Sequence, residues 1–94
     1  MRNNDWFVVE CVNGRGEDYR GTRNVTETGK ICQRWDAQHP HEHIYLNASG
    51  DANWCRNPSG DAQPWCYTTQ HATRWEYCTI TPCGELQHMH GILN

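Results

Sequence analysis

A chain of 94 residues with a formal charge of -3 and a pI near 6.0 allows one domain and excludes the basic field that gathers nucleic acid. Only 36% of its residues are hydrophobic and mean hydropathy is -0.94, so no stretch suits a membrane crossing and the aliphatic core is small. Six cysteines in so polar a chain fit an oxidised, disulfide-stapled module of the extracellular space better than a cytosolic enzyme.

Residues 1–10 form an N-terminal flank in which Trp6 to Val9 suits a short strand. Trp6-Phe7-Val8-Val9 is too short and too poorly flanked for a signal peptide, so the chain reads as a piece of a larger secreted or membrane protein. Between Cys11 and Cys83 turn signals recur at Asn13-Gly14, Arg20-Gly21, Thr28-Gly29, Ser49-Gly50 and Ser59-Gly60, without helix-length periodicity. The strand candidates are Pro64 to Thr68 and Arg74 to Tyr77, where aromatic residues alternate with small or charged ones. Pairing them would set Trp65 and Trp75 side by side on one face. Residues 84–94 carry no period and read as a linker or tail. The fold class is therefore small and disulfide-rich, mostly loop, with a few short antiparallel strand pairs. Three disulfides, at about 2–4 kcal/mol each, supply the stability that the core lacks. Their pairing is left open by the sequence.

Two sequons, Asn24-Val25-Thr26 and Asn47-Ala48-Ser49, make Asn24 and Asn47 glycosylation candidates and agree with an extracellular location. No catalytic constellation stands out. Ser49 and Ser59 lie in polar turns with no nucleophile elbow around them, paired cysteines leave no free thiol, and the carboxylates are scattered. Neither enzymatic activity nor a cofactor is expected. His39, His41 and His43 alternate around Pro40 and Glu42, and His88 and His90 repeat the spacing, which admits a zinc or copper site. A structural use of the histidines outweighs that reading, and no metal is expected.

Asn13-Gly14-Arg15-Gly16-Glu17-Asp18-Tyr19-Arg20-Gly21-Thr22 resembles the opening of a kringle domain. So do Thr28-Gly29-Lys30-Ile31-Cys32-Gln33-Arg34-Trp35, Pro40-His41-Glu42-His43, Cys55-Arg56-Asn57-Pro58, Pro64-Trp65-Cys66-Tyr67-Thr68-Thr69 and Arg74-Trp75-Glu76-Tyr77-Cys78. The likeness runs in order through residues 11–83. It implies a triple loop closed by Cys11–Cys83, Cys32–Cys66 and Cys55–Cys78, with Trp35 in the core and the Pro-His-x-His segment structural. Asn13-Gly14-Arg15 also resembles a deamidation-prone integrin motif, but the same residues form the expected kringle turn.

The family's best-known site binds lysine through two carboxylates, an aromatic trough and cations for the ligand carboxylate, a chemistry suited to an apolar stem with a cationic head. By resemblance the trough falls to Trp65, Tyr67 and Trp75, and Arg74 matches a position that contacts the ligand carboxylate. Tyr67 alternatively reads as a solvent-facing strand residue. The anionic end is half built: where lysine-binding kringles carry Asp-x-Asp, this chain has Ser59-Gly60-Asp61. Asp51 or Asp36 would have to compensate. The loop between Cys32 and Cys55 is shortened, lacks the usual Lys, and carries Gly50 where a core Leu is usual, so Ile44 or Leu46 is expected to fill the gap. The implied function is a non-catalytic module that binds protein ligands, through lysine side chains or a C-terminal lysine, with weak or absent lysine affinity. The rival is a structural spacer or autoinhibitory bead between neighbouring domains. Neither reading involves nucleic acid or membrane insertion.

Overall fold

The computed structural model describes residues 10–84; the strand expected at Trp6 to Val9, the tail beyond Gly84, and His88 and His90 lie outside them. Disulfides join Cys11 to Cys83, Cys32 to Cys66 and Cys55 to Cys78. The inner two cross at the centre, where the Sγ atoms of Cys32 and Cys55 lie 3.9 Å apart. Their four cysteines are each no more than 2% exposed and pack with Tyr19, Trp35, Trp65 and Tyr67. A chain with one Phe and five Trp can only build its interior this way, from sulfur and aromatic carbon. Trp35 is the centrepiece: it is 1% exposed, and its indole N–H donates to the Trp54 carbonyl at 2.6 Å, which satisfies the one polar atom of the ring.

Regular structure is sparse. Strand β1 (Trp65–Tyr67) pairs antiparallel with β2 (Trp75–Tyr77), in the register Trp65 to Tyr77, Cys66 to Glu76 and Tyr67 to Trp75. Both lie inside the expected segments. The flanking residues still bond across the pair, Thr68 N–H to the Arg74 carbonyl at 3.1 Å and Cys78 N–H to that of Pro64 at 2.9 Å. Because side chains alternate along a strand, Trp65, Tyr67, Trp75 and Tyr77 share one face, while Cys66 and Glu76 share the other. One 3-10 turn, Leu46–Ala48, sits in the loop between Cys32 and Cys55.

That loop corrects one expectation. Ile44 and Leu46 do not fill the core, being 82% and 67% exposed; Ala48 is buried there instead and Tyr45 packs against the cluster. The 3-10 turn directs Leu46 outward and Ala48 inward, and a residue as small as Ala fits beside the crossed disulfides.

Arg56 is a second feature with no local signal. It is 4% exposed, with its guanidinium between the rings of Tyr19 and Trp54 at 5.5 and 5.4 Å. Its Nη1 donates to the Gly21 and Cys55 carbonyls, and its Nε lies 3.2 Å from Asp51 Oδ1 as an ion pair, without the alignment of a hydrogen bond. A buried cation persists when it is paired and hydrogen-bonded in this way.

Glu76 ties the outer face of β2 to the turn at 26–30. Its carboxylate accepts the hydroxyls of Thr26 and Thr28 and lies 3.4 Å from Lys30 Nζ. These contacts, the Thr26 hydroxyl first, hold the Glu76 pKa below the ordinary glutamate value. A carboxyl group depressed on folding stabilises the fold above its unfolded pKa, and that contribution fades as pH falls through the folded value. The thermal midpoint should therefore drop on acidification from about pH 5 downward. Glu76→Gln should lower the midpoint at neutral pH and flatten this acid limb. An unchanged acid limb in the variant would assign the pH dependence elsewhere, to the exposed Asp36–Arg34 pair for example.

Candidate ligand trough

The β1–β2 face presents a ladder of rings. Trp65 meets Tyr67 and Trp75 edge-on, with centroids 5.0 and 6.0 Å apart, and Trp75 meets Tyr77 the same way at 5.0 Å. Edge-to-face packing is favoured because the positive edge of one ring meets the negative face of the next. Trp35 braces Trp65 from below at 5.4 Å. Trp65 and Tyr67 are thereby buried, at 4% and 7% exposed, whereas Trp75 stays open at 45%. Tyr67 is a packed residue of the core rather than a solvent-facing one. Burial raises its phenol pKa, with Arg74 opposing.

The three ring residues predicted from the sequence come together, and two others join them. His43 stacks on Tyr67 at 5.2 Å with ring planes 19° apart, and Tyr45 meets Trp65 edge-on at 5.7 Å. The chain bends at Ile44 and the Leu46 N–H bonds back to the Ile44 carbonyl at 2.9 Å, so no sequence period announced the pair. The Tyr45 N–H donates to His43 Nδ1, so the Nε2–H of that ring is the one donated to the Trp35 carbonyl, at 3.0 Å.

Arg74 lies over Tyr67, its guanidinium carbon 5.0 Å from the ring centroid, and its Nη2 donates to the Glu42 carbonyl at 2.8 Å. It is exposed and held in place, a cation fixed at the rim.

The turn at 59–61 is wired differently from a paired-carboxylate site. Asn57 fixes it, donating from Nδ2 to the Asp61 carbonyl and accepting the Asp61 N–H at its Oδ1. The Trp65 indole N–H donates to Ser59 Oγ at 3.0 Å, and the Ser59 hydroxyl donates to Asp61 Oδ2. One serine thus relays between the ring ladder and the exposed Asp61 carboxylate. Neither Asp36 nor Asp51 comes to this turn, since Asp36 pairs with Arg34 and Asp51 with Arg56. Glu17, which sequence reasoning missed, does approach: a Cβ at Gly60 would lie 3.3 Å from its Oε2. The contact spans the chain and leaves no local trace.

His41 and His43 both stack on Tyr67, while the ring nitrogens of the two bond to separate partners and His39 packs elsewhere. His39 packs edge-on to His71 at 5.6 Å, His41 donates from Nε2 to the Gln70 carbonyl at 2.9 Å, and both nitrogens of His43 are engaged. The four inner cysteines that meet at the centre are consumed in disulfides. The arrangement leaves one open ring, Trp75, beside the buried Trp65, whose indole is linked through Ser59 to the exposed Asp61 carboxylate.

A family model described as Kringle domain matches residues 11–83 of the 94. With that match over most of its length, three disulfides and one two-stranded antiparallel sheet, the chain belongs to the kringle domain family, non-catalytic modules of protein–protein interaction typical of extracellular proteins.

Proposed function

We propose that this kringle is an extracellular recognition module that docks protein ligands at the exposed Trp75, Asp61 and Arg74, with the buried Trp65 and Tyr67 as the ring ladder behind them, and with reduced affinity for lysine. The observation that carries this reading is Trp75, a large ring left 45% exposed at the open end of an otherwise buried ladder. A lysine stem is apolar and its ammonium is attracted to the face of such a ring, and the ladder is linked to the Asp61 carboxylate through the Trp65 indole and Ser59. Affinity is reduced because Ser59 stands where a second carboxylate would accept the ammonium. One charge-assisted hydrogen bond contributes about 1.5–3 kcal/mol, so its absence weakens binding roughly ten- to a hundredfold. Asn24 and Asn47, both exposed, are the proposed glycan carriers.

Titration with 6-aminohexanoate, followed by tryptophan fluorescence, tests the reading. A saturable change is expected, removed by Asp61→Asn and weakened by Trp75→Ala. A flat response to the analogue favours the rival reading of a spacer or autoinhibitory bead. One observation supports that rival: the Cα atoms of Cys11 and Cys83 lie 4.8 Å apart, so both ends leave from one point, as a bead inserted in a longer chain requires.

A further inference from the structure

We propose that Asn13 is a site of spontaneous isoaspartate formation, and that this modification releases the contact holding the Ser59-Gly60-Asp61 turn. Asn13-Gly14 is the only Asn-Gly pair in the sequence. Both residues are exposed, a Cβ at Gly14 would meet nothing within 4 Å, and the Gly14 N–H has no hydrogen-bond partner among the described residues. Gly14 has φ +55°, a conformation that Gly adopts without cost, so no side chain shields its nitrogen.

The chemistry needs only water. The Gly14 nitrogen, giving up its proton to hydroxide, attacks Asn13 Cγ; the new C–N bond closes a five-membered imide as the side-chain nitrogen leaves as ammonia. Water then opens the ring. Breaking the bond between the imide nitrogen and Cγ gives aspartate, and breaking its bond to the Asn13 main-chain carbonyl carbon gives isoaspartate. The second product carries one extra carbon in the backbone.

That carbon falls between two fixed points. Val12 N–H donates to the Thr81 carbonyl at 3.0 Å and the Val12 carbonyl accepts Cys83 N–H at 2.8 Å. Gly16 sits so close to Val12 and Pro64 that a Cβ there would come within 2.5–2.8 Å of them. The added length must therefore be taken up between Asn13 and Arg15. Arg15 is the clip: its Nη1 donates to the Gly60 carbonyl at 2.9 Å and its own carbonyl accepts Asn57 Nδ2 at 2.8 Å. Displacing it removes the Gly60 contact and the acceptor for Asn57 Nδ2, which loosens the turn that Asn57 otherwise holds.

The oxidised protein is incubated at mildly alkaline pH and 37 °C (about the temperature of physiological use) and analysed by peptide mapping with isoaspartyl methyltransferase labelling. Conversion at Asn13 is expected before any at Asn47 or Asn53, with isoaspartate in excess and Asn13→Gln inert. The isoaspartyl form, separated by ion exchange, should show displaced amide NMR signals for Gly60 and Asp61, whereas Asn13→Asp, which adds only charge, should not. Conversion first at another asparagine, or none at Asn13, overturns the site. Gly60 and Asp61 signals unchanged in the isoaspartyl form overturn the release of the turn. Both readouts are independent of ligand binding.

Discussion

Replacing Cys55 and Cys78 together by Ala should abolish folding at about 37 °C, whereas replacing Cys11 and Cys83 should leave a weakened but folded domain. Chain entropy alone orders the two the other way. Closing the 72-residue separation of the outer bridge contributes about 4.4 kcal/mol on that account, against about 3.4 for the 23 residues of Cys55–Cys78. Packing reverses the order. Cys55 and Cys78 are 0% and 1% exposed at the centre of the core, so their loss also opens a void against Cys32 and Cys66. Each buried sulfur removed adds a cost near that of a buried methyl deletion, about 1 kcal/mol. The outer bridge sits at a half-buried edge where backbone bonds from Val12 to Thr81 and from Cys83 to Val12 still hold the ends. Thermal unfolding followed by near-ultraviolet circular dichroism compares the two double variants. Loss of the aromatic signal in the Cys11/Cys83 variant, with retention in the Cys55/Cys78 one, would reject packing as the deciding effect.

The sequence made some of this fold legible and left other parts dark for physical reasons. Alternating aromatics placed β1 and β2 because the sheet period is local, and the trimming at Pro64 and Thr68 is a matter of where a ladder ends. Trp35 was placed in the core by the family likeness; its residue type alone could not do so, since Trp75 in the same chain stays 45% exposed. Disulfide pairing came from the family likeness; the cysteine spacings alone admit other pairings. Arg56 was unreadable because its burial depends on Tyr19, Gly21, Asp51 and Trp54, which reach it from separate loops. The exposure of Ile44 and Leu46 followed from a single 3-10 turn that no periodicity announced.

The same limit applies to Ser59. Its residue type signalled a missing charge, but the relay from the Trp65 indole through its hydroxyl to Asp61 is a tertiary contact. That relay sharpens the prediction for Ser59→Asp, which should tighten 6-aminohexanoate binding by about 1.5–3 kcal/mol, or roughly ten- to a hundredfold. A carboxylate at 59 still accepts the Trp65 N–H, which would otherwise be stranded in a ring only 4% exposed. It no longer donates to Asp61, so both carboxylates are free to accept an ammonium. Their mutual repulsion in the unliganded state works against folding, at about 1 kcal/mol for charges some 4 Å apart in water. Both positions are exposed, so that cost stays small beside the gain. Ser59→Asn separates charge from shape: it keeps an acceptor for the indole, adds no charge, and should leave affinity where it is. Asp61→Asn in the Ser59→Asp background should return the site to single-carboxylate strength, and raised salt should erode the gain. Equal affinity for Ser59→Asp and Ser59→Asn would mean that the ammonium does not sit at this turn, and ligand contact would then have to be sought away from the 59–61 end of the ladder.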